Sequence, residues 1–266
     1  YITWLDWFIA AAPYAVVMTI VLYFILLKMM PPEVEEVAGG DEAITKLMAE
    51  MGPMSSGEKK LLALSIILLF FWSTEKILHS IDTSTTTIVA VALMLLPKIG
   101  VMNWKEAQAS IPWGTVILFG VGISLGTALL STQAASWLAQ IIVQNVGLQS
   151  MDSFTILAVM ALFLVIIHLG FASATALAAA MIPIIISILQ TVTTPGIQIV
   201  GLTMILQYVV SFGFILPVNS PQSMIAHGTE TFEVKDFIRI GVPLTIVAYV
   251  IVLLFGATYW KWLGVM

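Results

Sequence analysis

Seven apolar stretches leave this chain few ways to fold. They run near 5–28, 61–81, 84–100, 112–130, 154–170 with 176–190, 197–216 and 238–259. Most hold about 20 apolar residues, the length an α-helix needs to cross a bilayer; a barrel strand needs only about 10. Inside a membrane every backbone N–H and C=O must find a partner, so the stretches imply an all-α integral membrane protein. Composition agrees: 60% of residues are apolar and 9% are charged, against about 25% charged in a soluble domain. Cysteine is absent, which excludes disulfides, thiolate metal sites and cysteine nucleophiles. The chain opens at Tyr1 with an apolar segment under way and no basic region before it. A piece of a longer protein is therefore expected rather than a signal peptide.

Two polar interruptions stand out against this background. The first is Gly170-Phe171-Ala172-Ser173-Ala174-Thr175 and the second is Leu216-Pro217-Val218-Asn219-Ser220-Pro221-Gln222. Backbone that leaves helical geometry at membrane depth is tolerated where protein buries it or where it lines a watery cavity. Small hydroxyl and amide side chains at both breaks point to a site for a small ion. At the first, an N-terminal helix end after 176 would favour an anion, and carbonyls ending 154–170 would suit a cation. The competing reading is a spanning helix whose Ser and Thr bond to their own backbone. At the second, Pro217 and Pro221 each remove a donor and disturb the preceding turn; the competing reading there is a kinked helix.

The basic residues give an orientation. Lys28, Lys46, Lys59, Lys60, Lys98, Lys105, Lys235 and Arg239 fall on one side of this tracing, with Lys76 and Lys261 on the other. Lys and Arg favour the cytoplasmic face, so residues 31–60 would be a cytoplasmic linker and the C-terminus would lie outside. That count requires 154–190 to enter and leave from one side, as a re-entrant hairpin with its tip near Phe171–Thr175. Residues 103–108 and 131–144 read as interfacial helices. Gly120, Gly122 and Gly126 would let a neighbouring backbone approach closely. Glu75 and His79 read as an external turn, one helical turn apart. Asp6 reads as a helix-end residue, and His168 and His227 as packing histidines or proton-sensitive partners. No H-E-x-x-H, G-x-S-x-G or P-loop occurs, so neither an enzyme nor a nucleic-acid binder is expected.

At these residues the chain resembles the divalent-anion:sodium symporter family. Ser173-Ala174-Thr175 with Ile182-Pro183 is similar to its second hairpin, and Leu216–Pro221 to its second broken helix; Ile111-Pro112-Trp113-Gly114 fits the same order. The resemblance implies the C-terminal half of an inverted-repeat, elevator-type transporter, usually a homodimer, in the inner membrane. Residues 1–30 would be the last helix of the first repeat and 31–60 the linker. Residues 61–130 would be scaffold-type helices and 131–150 an interfacial helix. Residues 151–234 would hold the transport-type hairpin and broken helix, and 235–266 the final spanning helix. The first repeat would be missing from this chain. Ser173, Thr175, Ser220 and Pro221 would contact a small divalent anion such as succinate, malate or citrate. Na⁺ would be held mostly by backbone carbonyls at Leu169, Ala172, Ala174 and Asn219. Position 174 departs from the family pattern, which has Asn there. The alternatives are a proton-coupled or exchange permease (sulfate included) and a non-transporting membrane subunit.

Overall fold

A computed structural model describes residues 2–32, 39–98, 100–111, 113–171, 173–192 and 195–266, with side chains at all of these except 115, 118, 119, 122, 126, 130, 135, 136, 138, 139 and 221. Every regular element named among them is helical. Three helices, Trp4–Met29, Ala174–Thr191 and the run Val234–Trp262, are long and apolar enough to cross a membrane. The chain divides into two units, one of Tyr1–Ile9 with Met30–Pro112 and one of Ala10–Met29 with Trp113–Met266.

In the first unit α1 (Trp4–Met29) begins with a reciprocal cap. The Asp6 N–H donates to Thr3 Oγ1 at 3.1 Å and the Thr3 N–H donates to Asp6 Oδ2 at 3.0 Å, so Asp6 is the expected helix-end residue. The linker is not featureless: it contains α2 (Gly40–Met51), with no buried residue and Ile44, Leu47, Met48 and Met51 all exposed. Helix α3 (Ser56–Thr74) starts at a capping box in which the Glu58 N–H donates to Ser55 Oγ and the Ser55 N–H donates to Glu58 Oε2. It stops seven residues before the expected end at 81. The chain instead makes a tight turn in which Glu75 and His79 pair through their backbones, so the two are not one helical turn apart. Glu75 is buried and accepts a hydrogen bond from Thr83 Oγ1 at 2.7 Å, and this contact pulls the turn inward. Helix α4 (Thr83–Leu95), capped by Asp82, packs against α3. It ends short of 100 because Pro97 forces Leu96 into an extended conformation. Helix α5 (Trp104–Ser110) follows a capping box of Asn103 and Glu106.

The second unit contains most of the buried core and both interruptions. It holds α6 (Trp113–Ser131), α7 (Ala134–Val146), α8 (Ser153–His168), α9 (Ala174–Thr191), α10 (Ile199–Val209), α11 (Pro221–His227), α12 (Val234–Ala257) and α13 (Tyr259–Trp262). Helix α8 is apolar from Ile156 to Ile167 and buries Ile156, Leu157, Met160, Ala161 and Leu164, a stripe at helical spacing that His168 extends. It packs against α10 and α12, while α9 packs against α6, α7 and α10; the two arms of the first interruption thus share α10 as a neighbour. Residues 10–29 of α1 join this unit through a buried aromatic group. Tyr14 stacks on Phe212 and meets Phe255 and Trp260, and Trp260 Nε1 donates to the Ala10 carbonyl at 2.9 Å. Among the described residues no close approach is found at Gly120, where a Cβ would meet nothing within 4 Å. Gly122 and Gly126 lie outside the residues whose side-chain surroundings are described.

Candidate functional site

The first interruption is a short non-helical connection. Helix α8 closes with the Gly170 N–H donating to the Ile167 carbonyl and the Phe171 N–H donating to the His168 carbonyl, both at 3.0 Å. Ser173 is extended and caps α9, its Oγ accepting from the Ala176 N–H at 3.4 Å. Helix α9 therefore begins at Ala174, not after Thr175, and both residues lie in its first turn. Ala172 falls outside the described residues.

The second interruption is longer than the apolar pattern suggests. Helix α10 ends at Val209, seven residues before the expected end at 216. The chain then tightens through the Ser211, Phe212 and Gly213 N–H groups, which donate to Tyr208, Val209 and Ser211 carbonyls. Pro217 holds Leu216 extended (φ −120°, ψ 138°) and opens a single 3-10 turn, Pro217–Asn219. Ser220 is extended and caps α11, accepting from the Ser223 N–H at 3.2 Å, and its hydroxyl lies 2.7 Å from that of Ser223. The side chain of Pro221 is outside the description.

Asn219 joins the two. Its side chain is 1% exposed, and its Nδ2 donates to the His168 carbonyl at 2.9 Å and the Phe171 carbonyl at 2.7 Å. Its Oδ1 accepts from the Leu216 N–H at 3.2 Å. One carboxamide thus satisfies two carbonyls at the C-terminal end of α8 and one N–H in the second break, groups that would be costly to bury unpaired. Leu169, one of the expected cation ligands, lies between the two bonded carbonyls in sequence. Ser220 is the next residue after Asn219, and Ser173 is two beyond Phe171. Among the described residues no hydrogen bond links Ser173 or Thr175 to the second break.

Two glycines allow this packing, and sequence reasoning passed over both. At Gly213 a Cβ would lie 3.1 Å from the Asn219 Cβ, 3.1 Å from the Asn219 carbonyl oxygen and 3.2 Å from His168 Nε2. At Gly241, on α12, a Cβ would lie 1.9 Å from the Phe214 carbonyl oxygen. The second break is therefore packed against Gly241 of α12 and, through Gly213, against His168. His168 is 2% exposed, with neither ring nitrogen hydrogen-bonded among the described residues. His227 is remote from this cluster in contact terms: it meets the ring of Phe232 edge-on. No signal in the local sequence marks Gly213 or Gly241, because each is needed by a backbone from another segment.

The whole chain, residues 1–266, matches the family model described as the sodium:sulfate symporter transmembrane region. The chain belongs to this family. A "Membrane protein" of Cupriavidus necator is 54% identical over 99% of this chain and 51% of its own length. The inner membrane protein YbhI of Escherichia coli is 27% identical over 98% of this chain and 54% of its own length. The sodium-dependent dicarboxylate transporter SdcS of Staphylococcus saprophyticus is 24% identical over 95% of this chain and 50% of its own length. The chain thus spans about half the length of these relatives. Membership of the sodium:sulfate symporter family agrees with the divalent-anion:sodium symporter resemblance of the two interruptions. It makes the chain a multi-pass membrane protein of a family of transporters, not enzymes.

Proposed function

We propose that this chain forms half of a secondary transporter that couples inward movement of a small divalent anion to Na⁺, with a di- or tricarboxylate as the cargo. The observation that carries the proposal is the Asn219 carboxamide, which ties the second break to the end of α8. In this reading Ser173, Thr175, Ser220 and Pro221 contact the anion, helped by the N-terminal end of α9. Carbonyls at Leu169, Ala172, Ala174 and Asn219 take the Na⁺. The donor set fits a hard cation, since it consists of oxygens and asks for no particular side chain at 174. Co-bound Na⁺ offsets the anion's charge, so the loaded site meets a smaller penalty in the low-dielectric core.

The rest of the architecture follows the same reading. Residues 1–30 are the last helix of a first repeat, 31–60 a cytoplasmic linker, 61–130 a scaffold and 131–150 an interfacial helix. Residues 151–234 carry a re-entrant hairpin and broken helix that move as a body, and 235–266 complete the chain with its C-terminus outside. The assembly is a homodimer in the inner membrane, completed by a first repeat that supplies the facing half of the site. Support comes from the charge asymmetry of the loops and from the similarity to SdcS, a sodium-dependent dicarboxylate transporter.

The test is uptake of labelled succinate, citrate and sulfate into proteoliposomes containing the full-length protein. The expected result is accumulation of a carboxylate under an inward Na⁺ gradient, weakened by Ser173→Ala and Ser220→Ala through a raised KM. Uptake indifferent to the Na⁺ gradient would overturn the coupling, and transport of sulfate alone would overturn the choice of cargo.

A further inference from the structure

We propose that the side chain of Asn219 is a positioning residue, which fixes the separation of the anion-contacting segments by acting as a built-in substitute for a cation between two carbonyls. A buried NH₂ group donating to two carbonyl oxygens, at 2.9 Å to His168 and 2.7 Å to Phe171, does locally what a bound cation would do. It draws two negative oxygen ends to one centre and neutralises their mutual repulsion. The same carboxamide holds the Leu216 N–H at 3.2 Å, so both ends of the link are fixed.

The geometry leaves the amide little freedom. Asn219 is buried to 1% exposure, and a Cβ at Gly213 would crowd Asn219 at 3.1 Å and the His168 ring at 3.2 Å. Ser173 lies two residues from one bonded carbonyl, and two residues reach at most about 7 Å of chain. Ser220 is bonded covalently to Asn219 itself. The link therefore sets how far apart the two hydroxyl-bearing segments can stand, without Asn219 spending its own amide on cargo. This role is separate from any contact by the Asn219 backbone carbonyl. Its kinetic consequence rests on the proposed transport function; its structural consequence does not.

Two variants of the full-length protein test it. Asn219→Ala removes the link, and the KM for the transported anion is expected to rise about tenfold or more with the maximal rate nearly kept, because binding geometry and not the crossing step is lost. Asn219→Asp keeps the shape but turns the donor into an oxygen facing two carbonyl oxygens, a ready cation trap. Its thermal midpoint in detergent should rise with NaCl over equal choline chloride more steeply than that of wild type, as mass action requires for a newly created site. An unchanged KM in Asn219→Ala, or a wild-type salt response in Asn219→Asp, overturns the proposal. Should Asn219→Ala fail to fold, the salt response of Asn219→Asp decides alone. Absence of anion uptake by the wild-type protein counts against the transport function, and the thermal comparison still decides the role of Asn219.

Discussion

Replacing Gly241 with alanine places a methyl carbon 1.9 Å from the Phe214 carbonyl oxygen, 2.8 Å from its carbon and 3.0 Å from the Ile215 Cα. All three are backbone atoms, so no rotamer change relieves the contact. An ordinary carbon–oxygen approach is about 3.3 Å, so α12 and the second break must separate by about 1.4 Å. Overpacking of this kind costs about 1–3 kcal/mol, and a clash against backbone belongs at the top of that range. The same separation loosens the segment that Asn219 holds, so anion transport should fall along with stability. Thermal unfolding in detergent, followed by the fluorescence of Trp260 and its neighbours, measures the first effect. Uptake at saturating and limiting anion measures the second. Gly120→Ala is the matched control, since among the described residues nothing lies within 4 Å of a Cβ there and alanine in a helix is favoured over glycine by about 0.5–1 kcal/mol. A Gly241→Ala protein as stable as the Gly120→Ala control would refute the close approach of α12 to the break.

Three further outcomes follow from contacts described above. Trp260→Phe keeps the aromatic packing but leaves the Ala10 carbonyl without its donor, and should lower stability by about 1 kcal/mol in denaturant or thermal titration. Tyr249→Phe removes a 3.0 Å bond from the hydroxyl to the Ala158 carbonyl and should cost a similar amount, about 1 kcal/mol, additively with the first because the sites share no partner. Hydrogen bonds from the hydroxyls of Thr85 and Thr155 hold the Asp82 and Asp152 carboxyls below the usual carboxylate range. A depressed folded value means that their stabilisation is present above about pH 4 and is lost as pH falls through the folded values. The thermal midpoint should therefore decline on acidification below that point, and less so in a Thr85→Val, Thr155→Val protein.

Helices whose ends are set by local chemistry were readable from the residues. Helix α1 lies within one residue of the expected 5–28 and α9 within two of 176–190, where an apolar run meets a capping Thr or Ser. Helix α10 shows the opposite case. Val210, Phe212 and Phe214 continue the apolar run, and nothing in them forbids a helix. The helix stops where Gly213 packs against Asn219 of the same break and His168 of α8, and the Phe214 carbonyl against Gly241 of α12. The turn at Glu75 was expected, but the burial of Glu75 was not, because its partner Thr83 lies across the loop. Asn219 was visible as a hydrogen-bonding residue between two prolines, but its acceptors are 51 and 48 residues away. Glycines spaced along α6 were conspicuous in the sequence, yet among the described residues the close approaches at the second break are made at Gly213 and Gly241, and others fall at Gly100 and Gly201. Spacing on one helix reveals which glycines could be approached, and only the neighbouring backbone decides which are.

The bond from Trp260 to Ala10 joins residues 250 apart, and this has a consequence for how the protein is made. A ribosome adding about 5–20 residues per second leaves Ala10 waiting roughly tens of seconds for its donor. During that interval Tyr14 is not yet covered by Phe212, Phe255 and Trp260. The turn carrying Trp260 thus closes the aromatic group around α1, and translation stopped short of Thr258 would leave that group open.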